Sequence, residues 1–470
     1  MSSSLTPIDY ICANCGEPGT LRCSLCLGAF YCGKECQKKM WKGHKVSCKE
    51  AAAFMAQIGA TIELFDIRME DFKRRAKEGD CKAQYNIGSC YFKGTGVTFD
   101  MQAAVEWWTR AAEGGLADAH NTLGTCYLIG QGVTRDEIKA VEFFKFGAEK
   151  GHAASMANFG LCFKKGTGGT TVEHEEAFKW FLRAAEAGNP EGQISAAFCY
   201  LGEGSVTSGA VNKQEAFRWN KKAAEAGHAG AQYNVGCALY AGHGVPVDRR
   251  EAFKWYKLAA EAGNKDAQLN LGLCMHNGDG CAVNKREAIK WYTSAAEAGS
   301  AIAQYELGQA YECGYGTPED LHKAVKWYTL AAKEGNAGGQ CGLAINLQTG
   351  TGGLEKDEVK ALSLFNLAAA QNDAQAIHNQ GRCAQFGLGR SINLKEAFAF
   401  FTRAVALKNV PALMNLAGLM FNSTGEDGIA KDKKGAVKLM ERAVAGGHPK
   451  AADTLKEMKS IMRLIEFVES

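Results

Sequence analysis

Seven cysteines and one histidine fall between positions 12 and 48, in the order Cys12-x2-Cys15-x7-Cys23-x2-Cys26-x5-Cys32-x3-Cys36-x7-His44-x3-Cys48. Thiolate and imidazole groups in close pairs are zinc ligands, and eight of them complete two tetrahedral sites with no position left for water. The chemistry this implies is structural rather than catalytic. About forty residues bury too little apolar surface to fold alone, so metal binding would supply the folding free energy. A Cys-x2-Cys turn offers two thiolates from one loop. Cys32/Cys36 and His44/Cys48 stand four apart, a spacing that puts both side chains on one helical face.

Elsewhere the chain carries no pattern for catalysis. It has no P-loop, no G-x-S-x-G, no H-E-x-x-H, and no G-x-G-x-x-G between a strand and a helix. The Gly-x-Gly turns, such as Gly94-Thr95-Gly96, lack the lysine and the preceding strand of a phosphate cradle.

The net charge comes from the same short segment. Residues 1–50 hold seven basic and four acidic side chains, which accounts for the formal net charge of +3 over all 470 residues. A nucleic-acid footprint would therefore have to lie there, and the run Lys38, Lys39, Lys42, Lys45 and Lys49 reads more simply as a solvated helix face. With 46% hydrophobic and 22% charged residues the chain is too apolar for disorder. The start MSSSLTPIDYICANC has no apolar core, and the stretch from Ala51 to Phe65 is broken by Gln57, Thr61 and Glu63. Neither a signal peptide nor a membrane span is expected, and the thiols are expected reduced, in cytosol or nucleus.

The elements that must position these groups come from self-similarity. Aligning on A-Q-Y-N-x-G gives ten units beginning at Cys81, Ala117, Ala153, Pro190, Ala229, Lys265, Ala301, Ala337, Ala374 and Val410. Each is about 36 residues long, with up to three extra between two helical stretches. An Asp or Asn before the E-A-F/V/I segment starts the second helix, and A-A-E-x-G ends it. Pro190, Pro411 and Pro449 sit at unit starts, Pro246 and Pro318 in turns.

Position eight of the unit reads Gly88, Gly124, Gly160, Ala197, Gly236, Gly272, Gly308, Ala344, Gly381 and Ala417. Glycine inside a helix costs about 0.5–1 kcal/mol against alanine, so its repetition needs a close contact. The aromatic pairs of the second helix (Trp107-Trp108, Phe143-Phe144, Trp180-Phe181, Trp255-Tyr256, Trp291-Tyr292, Trp327-Tyr328, Phe400-Phe401) would supply it. Cys90, Cys126, Cys162, Cys199, Cys274 and Cys383 share position ten and read as small packing residues. On a 100° wheel, positions 3, 4, 7, 8, 10 and 11 of the first helix form the apolar arc. Positions five and six fall outside it, with Tyr85, Tyr233 and Tyr305 at five and Asn86, Asn158, Asn234, Asn270, Asn379 and Asn415 at six. They are candidates either for holding an extended peptide in a groove or for bonding the neighbouring hairpin.

The ligand series, with Phe30-Tyr31-Cys32 and Cys36-Gln37-x3-Trp41-x2-His44-x3-Cys48, resembles the MYND zinc finger. The resemblance implies an interleaved pairing, Cys12, Cys15, Cys32 and Cys36 on one zinc and Cys23, Cys26, His44 and Cys48 on the other. It also implies a short, proline-containing peptide as partner, with Gln37 and Trp41 lining its groove. A RING finger keeps its histidine nearer the middle. Some MYND proteins are lysine methyltransferases, but they need a separate SET fold of short strands.

The ten units resemble the Sel-one-like repeat, a relative of the tetratricopeptide repeat. This implies an all-α, right-handed superhelical solenoid of about ten hairpins that scaffolds protein complexes. Such arrays also occur in ubiquitin-ligase and protein-quality-control assemblies, as substrate-recruiting subunits. The expected organisation is a tail (1–11), the finger (12–48), a helical connector and cap (51–80), the repeats (81–448) and a C-terminal capping helix (449–470). The expected function is a non-catalytic adaptor for proteins or peptides, with no small-molecule substrate.

Overall fold

The computed structural model describes residues 21–22, 30–31, 69–202, 211–425 and 429–469. The chain divides into two compact units, Met1–Ala210 and Val211–Ser470. In the first, Leu21–Arg22 and Phe30–Tyr31 pair antiparallel, Leu21 opposite Tyr31. Residues 69–77 are helical. Three helical hairpins follow, Cys81–Lys93 with Met101–Glu113, Ala117–Ile129 with Glu137–Glu149, and Ala153–Lys165 with His174–Glu186, and then the helix Pro190–Tyr200. The second unit opens with the helix Lys213–Glu225. Its six hairpins have first helices Ala229–Ala241, Lys265–Asn277, Ala301–Cys313, Ala337–Thr349, Ala374–Phe386 and Val410–Asn422, and it closes on Ala451–Glu469. The all-helical repeat fold expected from the sequence is found. The two helices of the fourth repeat belong to different units.

Side-chain caps set the helix starts. Asp80, Asn264, Ser300 and Asn409 accept from backbone N–H groups of first helices. Asp100, Asp136, Asp248, Asn284 and Asp320 do so for second helices. Each such cap is worth about 1 kcal/mol.

The glycine column makes the contact its repetition demands, and with one aromatic of each pair. A Cβ on Gly88 would stand 2.7 Å from the Trp108 indole, and one on Gly124 2.6 Å from Phe144. Gly236, Gly272 and Gly381 face Tyr256, Tyr292 and Phe401 in the same way. These second aromatics are buried, whereas Trp107, Phe143, Trp255, Trp291, Trp327 and Phe400 are half-buried. The first member turns toward the junction with the preceding repeat: Trp327 packs on the cluster of Leu269, Tyr292 and Leu307.

Two further columns tie one repeat to the next. Glutamine at position four donates to a carbonyl at the end of the preceding helix: Gln193 to Ala185, Gln232 to Ala224, Gln268 to Ala260 and Gln304 to Ala296, at 3.2–3.3 Å. Gln84 makes the same bond to Ala76, 3.2 Å away, which joins the helix at 69–77 to the first repeat. The second glycine of the Gly-x-Gly turn, at Gly132, Gly244, Gly280, Gly316 and Gly389 among others, lies on the backbone that opens the preceding repeat's second helix. Gly280 (φ 75°) rests on Arg249 and Gly316 (φ 69°) on Lys285, with no room for a Cβ. At the C-terminus Met458 is buried with Leu413, Phe421 and Met440.

Candidate interaction surface

The eight finger ligands Cys12, Cys15, Cys23, Cys26, Cys32, Cys36, His44 and Cys48, and the groove candidates Gln37 and Trp41, lie outside the described residues. The two described strands immediately precede Cys23 and Cys32 in the chain. The donor set itself, seven thiols and one imidazole in four close pairs, has the softness and number zinc takes in closed structural sites. Among the described residues no three His, Cys, Asp or Glu side chains converge to hold a metal, and no helix is long and apolar enough to cross a membrane.

In the repeats, positions five and six of the first helices form a ladder between hairpins. Position five of one repeat meets position six of the next. Tyr85 Oη lies 3.2 Å from Thr122 Oγ1. Asn158 Nδ2 donates to Asn121 Oδ1 at 2.9 Å. At two further junctions Asn270 lies beside Tyr233 and Asn379 beside Cys341. His378 Nε2 and Asn415 Nδ2 are 2.9 Å apart. Of the remaining candidates, Asn234 donates to Asn220 at 3.1 Å, and Asn86 is half-buried. Tyr305 Oη accepts from Gln309 Nε2 at 2.7 Å. A wheel of one helix places these positions away from the core, because it does not see the next hairpin that covers them.

Burial governs the ionisable groups along this face. It pushes the Tyr305 hydroxyl up to about 12 and, with the Cys237 thiol beside it, raises Tyr233. His378, buried against the Phe401 ring, is pushed down to about 4, with Arg382 and His448 adding like charge. Burial also drives the thiols of Cys126 and Cys162 up to about 11 and Cys274 up to about 12. These are inert packing groups rather than nucleophiles. The position-ten column is buried at Cys126, Cys162, Cys274 and Cys383 and half-buried at Cys90 and Cys199.

Sequence reasoning offered bonding of the neighbouring hairpin as one of two roles for positions five and six, and it missed the glutamine column and the second loop glycine. Each was visible as a repeated residue in the A-Q-Y-N string or the Gly-x-Gly turn. Only the position of the neighbouring hairpin gives it a partner.

In the first unit a cavity of about 510 Å³ lies between the second and third first-helices, its lining including Leu128, Ile129, Asn158, Leu161 and Lys165.

A zinc-ligand module ahead of a stacked array of helical hairpins is a protein-interaction architecture. Residues 12–48 match the MYND finger family, and ten Sel1 repeats cover residues 81–448 without a gap, so the chain belongs to the Sel1-repeat family and carries a MYND finger. A solved structure of a protective antigen from uropathogenic Escherichia coli, displaying an SLR fold, superposes with a TM-score of 0.70. It is 32% identical over 83% of this chain and 82% of its own. Among curated proteins, chitin synthase regulatory factor 2 of Schizosaccharomyces pombe is 33% identical over 21% of this chain and 18% of its own length. The N-lysine methyltransferase SMYD2-B of Danio rerio is 44% identical over 9% of this chain and 11% of its own. The chain therefore spans less than a fifth of either curated relative.

Proposed function

We propose that this protein is a non-catalytic adaptor. Its finger, folded on two structural zinc ions, takes a short proline-containing peptide beside Gln37 and Trp41, and the first-helix face of the array holds a second protein. Cys12, Cys15, Cys32 and Cys36 hold one ion and Cys23, Cys26, His44 and Cys48 the other. The setting is the cytosol or nucleus, where the free thiols stay reduced.

The observation that carries this reading is the disposition of reactive groups. Along the first-helix face the described tyrosines, asparagines, histidines and thiols bond neighbouring hairpins or are buried among apolar side chains, and they do not converge as an acid, base or nucleophile would. The methyltransferase resemblance covers 9% of the chain, and the described residues from 69 onward form helices rather than the short strands of a SET fold. A regulatory factor among the relatives is in keeping with a protein that acts through other proteins.

The test is affinity capture from cells with the full chain and its Trp41→Ala variant, read by mass spectrometry. One set of partners should be lost with Trp41→Ala while another, held by the array, is retained. Identical partner sets, or methyl transfer by the purified protein, would remove the proposal.

A further inference from the structure

In the second unit the ladder lacks its side-chain rung at two successive junctions, Leu269 with Glu306 and Tyr305 with Gly342, and only the first of them leaves a carboxylate without a partner. The repeats at Lys265 and Ala301 should pair through position five of the former and position six of the latter, but those residues are Leu269 and Glu306. Leu269 is buried and offers no polar atom. Glu306 is left half-buried with no donor in reach among the described residues, and burial alone raises its carboxyl above the ordinary value. Beside it, Tyr292 is 1% exposed and its hydroxyl has no hydrogen-bond partner. Burial raises that hydroxyl above its ordinary value, and the Glu306 charge adds to it.

The next repeat leaves the place open. Its position six is Gly342, which has no side chain to reach back. Over the four first helices from Ala229 to Thr349 the acidic side chains are Asp266, Glu306 and Glu312, against one cation, Lys265. Glu312 is already taken by the Tyr328 hydroxyl at 2.6 Å. Four residues before Glu306 on the same helical face stands Ile302, 51% exposed. Half-buried carboxylates of this kind are strong acceptors for charge-assisted hydrogen bonds, because little water competes for them.

We infer that Glu306 is the recognition point for a lysine or arginine side chain of an extended partner peptide, with an adjacent apolar residue of that peptide lying on Ile302. This rests on the adaptor reading of the first-helix face and names the chemistry of the segment held there. The cation completes the rung that Leu269 cannot make, and the negative charge along these helices favours a basic occupant over an acidic one.

The probes are three pools of synthetic twelve-residue peptides, otherwise random, with the central residue fixed as Arg, Ala or Glu, presented to the full chain. The Arg pool should be retained about tenfold better than the Ala pool, the value of one charge-assisted bond. Glu306→Gln should abolish that preference without shifting the unfolding transition, and Glu306→Lys should turn it toward the Glu pool. Ile302→Glu should weaken retention of the Arg and Ala pools alike. Equal retention of all three pools, still sensitive to Ile302→Glu, overturns the role of Glu306 and leaves the adaptor reading standing. A preference for Arg that survives in Glu306→Gln overturns it too. No retention of any pool, with Ile302→Glu without effect, removes both this inference and a peptide-holding array.

Discussion

Gly272 leaves the space that the Tyr292 ring fills: a Cβ at Gly272 would stand 2.6 Å from two of its ring carbons. Neither residue can be changed alone without strain or a void. Gly272→Ala gains helix propensity but overpacks the hairpin, and a net loss of about 1–2 kcal/mol is expected in urea unfolding. Tyr292→Leu should destabilise through the void it leaves. The double variant should be clearly less than additive, since the smaller residue makes room for the methyl. Full additivity would show that the two do not share space.

The repeat ends carry a second, opposite case. Most units close on a glycine in the left-handed region, such as Gly299 at φ 84°, but the ninth places Lys408 there at φ 64°. A side chain in that conformation costs about 1 kcal/mol. Lys408→Gly should therefore raise the denaturation midpoint, and Gly299→Lys should lower it by a similar amount. A Lys408→Gly variant no more stable than wild type would contradict the assignment.

Acid sensitivity should report His378. Its folded value is pushed down to about 4 from an ordinary 6.5, mainly by burial. Between those values the unfolded chain binds a proton that the folded chain refuses. Stability is therefore lost as pH falls from about 6.5 to about 4, and the loss is complete below that window. The full effect is on the order of 3 kcal/mol. His378→Gln should flatten the pH dependence of stability in this window, as measured by urea titrations at a series of pH values. An unchanged slope would place His378 in contact with solvent.

For the finger, metal analysis of the purified chain should find about two zinc ions. A strong chelator should release them while leaving the helical circular dichroism nearly intact, because the described hairpins are held by apolar burial and helix caps. Cys12→Ser should reduce the count to about one if the two sites fold separately. A chain that holds no zinc at neutral pH would set aside the structural-metal proposal.

Much of this fold is legible from residue spacing because a repeat presents the same physical problem ten times. The unit starts, the Asp and Asn caps and the glycine-to-aromatic contact can all be read from columns. The partners across repeats cannot. Asn158 stands outside the apolar arc of its own helix, and only the presence of Asn121 on the preceding hairpin makes it a bridging residue. The same limit hides which member of Trp291-Tyr292 is the buried one, because both are large and apolar, and only the second faces Gly272. Lys408 is unreadable for another reason, since nothing in its side chain announces a positive φ.

The interrupted rung also bears on how a periodic surface can hold anything in one place. A strand laid along identical repeats finds equivalent contacts after sliding by one unit, so a perfectly regular array would bind it in several registers of nearly equal energy. Leu269 and Glu306 remove that degeneracy. A single unsatisfied carboxylate marks one repeat as different from its neighbours, and a chain carrying one matching charge would be fixed at one offset. The irregular repeat then serves as the origin from which the regular ones are measured.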